Sequence, residues 1–296
     1  MEQFLQALVN GVMLGGFYGA MVLGFSVIWG VMGVINLAHG EMVMVGAYLT
    51  WVLNKQYGWE PFAALIVVMP VMFIIGYVLQ RILINRVVER PHLISLLVTF
   101  GLGIIIANGV KLVYTANPRI TTTELSGFWR IGSDLTIPVT KTYIMLAGLL
   151  IMAGLHAFLQ YTRTGKSIRA AAQNKEAARI VGIEIRQVYA LTFAICIGLS
   201  GAAGMLISPT QAIFPFMGPP LTLKAFAITA MSGLGSIPGA LMGGIILGLV
   251  EVLIATYVPG IGTNLGIVSS FILLVAVLVT RPQGLFGGLK PATEVQ

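Results

Sequence analysis

The chain has 296 residues, of which 57% are hydrophobic, only 9% are charged and 36 are glycine, with a mean hydropathy of +0.93. That composition excludes a soluble domain and belongs in a bilayer. The formal net charge of +7 comes from cations gathered between long apolar runs. No basic stripe interleaved with aromatics is seen, so membrane lipid is the expected surrounding and nucleic acid is excluded as a partner.

Taking about 20 apolar residues as one crossing, nine spans are predicted, at 5–30, 36–54, 61–84, 93–115, 142–161, 188–209, 221–236, 238–257 and 264–280. The expected fold class is all-α: one polytopic membrane domain over 1–296 with about nine transmembrane helices, within a range of eight to ten. The first span opens MEQF without a positive n-region and runs past signal-peptide length, so it is expected to stay in the mature protein. The second contains NLAHGEMVMVGAY (36–48); Asn36, His39, Gly40 and Glu41 are expected at a broken helix near the cytoplasmic start of the span. The seventh and eighth are interrupted by Gly233, Gly235, Pro238 and Gly239 in SGLGSIPGALMGG, which marks a re-entrant or broken segment. Paired broken segments mark a translocation path, and these eight residues are its candidates. Lys111 and Glu251 fall at depths differing by about 3 Å at 1.5 Å per residue and are expected to pair inside the membrane. The plainer alternative for Lys111, and the expectation for Lys224, is snorkelling to the interface.

The cations orient the spans. If the loops 81–90 and 162–187 and the tail after 280 share a side, that side holds Arg81, Arg86, Arg90, six cations from Arg163 to Arg186, Arg281 and Lys290. The other side has Lys55, Arg119, Arg130 and Lys141. The positive-inside bias then puts the N-terminus outside and the C-terminus in the cytoplasm, which an odd number of spans also requires. The longest outer connection, 116–141, carries Pro118, Pro138 and the alternating RITTTELSG. It reads as a small ordered extracytoplasmic cap or as a solvated spacer.

The inner loop 162–187 holds a short polar island in YTRTGKSIRAAAQNKEAARIVGI (161–183). Its GKS triplet is no phosphate loop, because Gln160 stands where the first glycine is needed. Residues 168–181 lack proline and internal glycine and stop at Gly182, so one helix with a left-handed cap is predicted. Helical spacing puts Ala170, Ala171, Asn174, Ala177, Ala178 and Val181 on a smooth face and Arg169, Lys175, Glu176 and Arg179 on a charged one. Small side chains let a partner backbone approach, and a charged rim fixes its register. The plainer alternative is a helix covering the ends of the spans.

EAARIVG, Glu176 to Gly182, resembles the EAA-xxx-G core by which ATP-binding-cassette importer permeases engage their ATPases, although Thr192 replaces the isoleucine of the full motif. INLAHGEMVMVGAY (35–48), RAAAQNKEAARIVGI (169–183), KAFAITAMSGLGSIPGALMGGIILGLVE (224–251) and RPQGLFG (281–287) occur in order. Together they are similar to the LivH-type permeases of branched-chain amino acid importers. The resemblance implies a bacterial inner-membrane, multi-pass subunit. Its implied partners are a second homologous permease in a heterodimer, two ATPase subunits and an extracytoplasmic solute-binding protein. It also implies transport of branched-chain or other hydrophobic neutral amino acids, or of urea or short amides in related importers.

The chain's own chemistry fits that division of labour. There is no Walker A loop, His39, His92 and His156 are scattered, and the single Cys196 makes neither a disulfide nor a cysteine metal site. The chain is therefore expected to be no enzyme and to bind no cofactor or metal, with ATP and Mg on the partner subunits. The rival class is an ion-coupled secondary transporter, which calls for an acidic group near mid-membrane. A channel is the third class.

Overall fold

The computed structural model describes residues 2–131, 135–233, 235–258, 262–281 and 284–285. Its helices are α1 (Glu2–Met32), α2 (His39–Tyr57), α3 (Leu65–Ile82), α4 (His92–Tyr114), α5 (Val139–Tyr161), α6 (Arg163–Gln173), α7 (Lys175–Ile180), α8 (Ile185–Ile207), α9 (Gly218–Ser232), α10 (Ile237–Tyr257) and α11 (Gly262–Thr280). The chain is mostly helical, as expected, with one antiparallel hairpin of β1 (Phe128–Ile131) and β2 (Leu135–Pro138).

Among the described residues six helices are long and apolar enough to cross a membrane: α1, α3 with the 3-10 turn that follows it, α4, α5, α8 and α10. α9 has only 15 residues, about 22 Å at 1.5 Å per residue, which is short of a hydrocarbon core of about 30 Å. α2 carries Glu41 in its first turn and Lys55 in its last.

α1 and α8 are apolar on every side and lie at the centre, buried along most of their length. α10 runs back along α1 at backbone contact. A Cβ on Gly15 would lie 2.4 Å from Ile245 Cα, and one on Gly248 would lie 2.5 Å from Gly15 N. Glycine at both helices is what permits this approach, since association in lipid depends on close packing rather than on apolar burial. α2 and α3 pack on α8. α3, α4 and α5 turn Ile66, Ile74, Leu97, Phe100, Leu112 and Leu150 outward, as lipid-facing helices do.

The two ends of the bundle differ. At one end the loop after α3 meets the polar island: Lys175 Nζ lies 3.0 Å from Glu89 Oε1, and Arg81 donates to Gln187. At the other end 116–141 forms an ordered cap, residues 132–134 lying outside the described set. The side chain of Asn54 holds Thr122 through its N–H and its carbonyl oxygen, at 3.1 and 2.9 Å. Arg119 and Ile213 exchange backbone bonds at 2.9 and 2.7 Å, and Thr121 donates to Ser208 at 3.0 Å. RITTTELSG runs without strand, its polar groups bonded to Asn54, Ser208 and Ile213, and the strands form just after it. Gln6 of α1 pins β2 by bonds of 2.8 and 3.0 Å with Thr136.

Candidate functional site

The polar island is two helices, which corrects the single helix expected over 168–181. Thr162 ends α5 and caps α6, accepting the Gly165 N–H at 3.0 Å. A Cβ on Gly165 would lie 2.3 Å from Phe158 O, so the glycine of the GKS triplet serves a tight corner. Asn174 leaves the helical region at φ −157° and ψ 106°, and its Oδ1 accepts the Ala177 N–H at 2.9 Å. Asparagine is a preferred N-cap, and here it outweighs the helix propensity of its alanine neighbours. α7 closes at Gly182, φ +84°, where Gly182 N bonds Arg179 O and Ile183 N bonds Ala178 O, both at 3.0 Å. This paired cap is the left-handed ending expected there.

The break redistributes the predicted faces. Ala171 and Ala178 are buried in this chain's own core and Ala170 is partly so, whereas Asn174, Ala177 and Val181 are exposed. The smooth face therefore does not stand free as a unit. The charged face is also engaged at home. Glu89 holds Lys175 and lies 3.5 Å from Arg179, which also reaches Glu176 at 3.5 Å, while Arg169 reaches back to Gln160 O at 3.4 Å. What α7 offers outward is Ile180, 86% exposed, and Val181, 74% exposed. Glu89 was not among the predicted residues. Its carboxyl is held below the usual carboxylate range, chiefly by the hydrogen bond from Lys175 and that residue's charge.

A second site lies where α2 begins. After α1 ends at Gly33, φ +65°, residues 33–38 run without helix beside α4. His92 Nδ1 lies 3.0 Å from Gly33 O, Thr99 Oγ1 donates to Ile35 O at 3.2 Å, and Leu37 N donates to Thr99 Oγ1 at 3.1 Å. From the other side Thr222 of α9 accepts Gly40 N at 2.8 Å and donates to Leu37 O at 3.3 Å. Irregular backbone among apolar helices persists only when its polar groups are paired in this way. Gly40 meets the first residue of α9 so closely that a Cβ there would lie 1.9 Å from Gly218 O. The two N-termini thus face each other.

His39 lies beside Met21 of α1 and Ser200 of α8, so α2 starts midway along both helices and not near the end of a span as expected. Its Nε2 is 3.0 Å from Met21 O and its Nδ1 3.3 Å from Ser200 Oγ, leaving it fully used as a packing group. Asn36 Oδ1 accepts Ala38 N at 3.1 Å, while its Nδ2 has no partner among the described residues. Glu41 is 5% exposed and its Oε2 likewise has none.

Gly233, Gly235, Pro238 and Gly239 do not interrupt a helix. Gly233 and Gly235, at φ +90° and +73°, end α9 and make the turn, and Ser236 caps α10 by accepting Gly239 N at 3.0 Å with Pro238 in the first turn. Leu234 lies outside the described residues, as do Pro282, Gln283, Phe286 and Gly287 of RPQGLFG and Lys290. The partner of 33–38 is instead the start of α9. Its signal was legible as Gly218-Pro219-Pro220, since proline favours the first turn of a helix. The threonines Thr99 and Thr222 carried no such signal.

The Lys111–Glu251 pair is also corrected. Lys111 rests over the Phe216 ring at 5.7 Å. Glu251 is held by Lys224, with Nζ 2.7 and 2.9 Å from its two oxygens, and Tyr18 closes the set, accepting from Lys224 at 2.6 Å and donating to Glu251 at 2.8 Å. Lys224 does not snorkel because α9 and α10 wind back to back and bring the two charges together. No group of three metal-ligating side chains occurs among the described residues.

A lipid-facing helical bundle, two helices starting nose to nose within it and a polar helix pair at one end define a polytopic membrane protein with an internal crossing point. The chain belongs to the family of permease components of branched-chain amino acid transport systems, which it matches over residues 7–278. It is 32% identical to the high-affinity branched-chain amino acid transport system permease protein LivH of Escherichia coli K12, over 98% of this chain and 97% of that one. It is 31% identical to BraD of Pseudomonas aeruginosa, a permease protein of the same description, with the same coverage. In fold alone it resembles a solved chain of PsaBC from Streptococcus pneumoniae in complex with Fab. The TM-score is 0.50 at 11% identity, covering 94% of this chain and 92% of that one.

Proposed function

We propose that the chain is the membrane-spanning permease subunit of an ATP-binding-cassette importer that carries branched-chain amino acids across the inner membrane. The observation that carries the reading is α7. It is capped at both ends and tied to Glu89 on one side, and on the other it presents Ile180 and Val181 bare. An ATPase surface closing on those two side chains would push a rigid element joined through α6 to α5 and by a short turn to α8. Relatives named as LivH and BraD permeases support the substrate.

The rest of the assembly follows as part of the proposal. Two ATPase subunits bind ATP and Mg, a second homologous permease completes a heterodimeric pore, and a solute-binding protein docks on the opposite end at the 116–141 cap. The N-terminus lies outside and the C-terminus in the cytoplasm. Nine crossings result if α11 joins the six long apolar helices, 33–38 with α2 makes one more and 208–217 with α9 another, the two half-helices being extended by irregular chain. Asn36, Gly40 and Glu41 border the translocation path.

Ile180→Asp with Val181→Asp tests the reading. Membrane abundance should match the parent, while the ATPase subunits no longer copurify and stimulation of ATP hydrolysis by loaded binding protein is lost. A variant that assembles and responds like the parent overturns it. One observation favours an ion-coupled carrier instead: Glu41 is buried with no ion-pair partner among the described residues. Uptake that proceeds without any ATPase and follows an imposed proton gradient would establish that reading.

A further inference from the structure

We infer that Glu41 receives the positively charged ammonium group of the solute as it passes between α2 and α9, and that Asn36 receives its carboxylate. This rests on the permease reading above and adds the chemical class it selects: zwitterionic amino acids over neutral amides.

Among the described residues of the helical bundle, the buried Glu41 and the half-buried Glu251 are treated differently. Glu251 is fully committed to Lys224 and Tyr18. Glu41 has no ion-pair partner among the described residues, and its Oε2 has no hydrogen bond although it is 5% exposed. An ionisable group left this way inside a membrane bundle is expected to act on a ligand. It sits in the first turn of α2, against the first residue of α9, where two positive helix ends meet. What it lacks is a counter-charge.

Its carboxyl is packed where only glycines leave it room. Its carboxyl carbon lies between two glycines, 3.3 Å from where a Cβ on Gly103 of α4 would stand and 2.8 Å from one on Gly218. Five residues earlier, at the same non-helical approach to α2, Asn36 leaves its Nδ2 donors unpartnered at 1% exposure. A free acceptor that is anionic and a free donor that is neutral match the two ends of a zwitterion. Urea and short amides bring no full positive charge to offset Glu41. The contact of Gly40 on Gly218 shuts the slot here, so the solute enters only when α2 and α9 part.

The test uses the complete importer in vesicles with binding protein, reading leucine uptake and ATP hydrolysis together. In Glu41→Gln, which keeps the shape and removes the charge, leucine moved per ATP should fall about tenfold, equivalent to about 1.4 kcal/mol. Glu41→Asp should recover part of it. Gly103→Ala, which keeps the charge and narrows the slot, should lower the same ratio and decides the matter if Glu41→Gln assembles poorly. A ratio within about twofold of the parent in Glu41→Gln or, failing that, in Gly103→Ala overturns the inference. So does parent uptake that requires an imposed proton gradient, which would give Glu41 a proton. A parent that shows no response of ATP hydrolysis to loaded binding protein would instead refute the permease reading itself.

Discussion

Replacing Lys224 by Met would leave Glu251 charged and largely shielded from solvent, with Tyr18 as its remaining polar contact among the described residues. The side chains of Lys224 and Glu251 are 11% and 18% exposed, and the ammonium places its three donors on two carboxylate oxygens and one phenol, at 2.7, 2.9 and 2.6 Å. Breaking one side of such a pair costs ~3–5 kcal/mol, because the other charge remains without compensation. Lys224→Met and Glu251→Leu should each fall in that range. The double variant removes both charges and should cost only ~1–2 kcal/mol, mostly the lost partners of Tyr18. At the lower end of these figures the coupling is still ~4 kcal/mol, well above the scatter of additive sites. Tyr18→Phe, which removes hydrogen bonds to charged groups, should cost ~1.5–3 kcal/mol. The measurement is reversible unfolding of the purified protein in mixed micelles across the full cycle. A coupling below ~0.5 kcal/mol would mean that lipid headgroups or water solvate the charges separately, and the buried network would have to be given up.

Single cysteines at Ser126 and Gln173, both exposed and at opposite ends, should label from opposite sides of sealed cells in a Cys196→Ser background. Labelling of both from outside would overturn the proposed orientation. Asn174→Ala removes the α7 cap at a cost of ~1 kcal/mol and favours a continuous helix that turns Ile180 and Val181 away. Stimulated ATP hydrolysis should drop several-fold, and Asn174→Asp, which still caps, should keep it. Because the Glu89 carboxyl is lowered on folding, its contribution is complete above the ordinary carboxylate value of about 4.3 and is lost as pH falls through the lowered one. Protection of α7 from proteolysis should therefore be flat from about pH 8 to about pH 5 and decline below about pH 4. Glu89→Gln should abolish that decline, by an amount limited by the exposure of the pair; an unchanged decline in the variant counts against the Glu89 tie.

Several features were legible because they depend on neighbours in sequence. The long apolar runs announced α1, α3, α4, α5, α8 and α10, and Gly182 announced the left-handed end of α7, since that conformation is open to glycine at little cost. The motif around Glu176–Gly182 pointed to the element for which docking is proposed before any contact was known. Asn174 was misread because its side chain can sit on a helix face or turn back to cap a new one, and periodicity alone does not separate the two.

Hydropathy and local propensity by themselves determined that this chain is a helical membrane protein with a polar element on one side, because burial in lipid and helix capping act over a few residues at a time. Only the tertiary structure decided which ends meet. Glu251 chose Lys224 across 27 positions and Tyr18 across 233; Thr99 and Thr222 secured the backbone of 33–38 from helices 62 and 185 positions away. Whether a buried charge or carbonyl is satisfied depends on which helix backbones can come within hydrogen-bonding distance. That is set by glycine-to-glycine packing between distant helices, as at Gly40 and Gly218, which a local pattern does not encode.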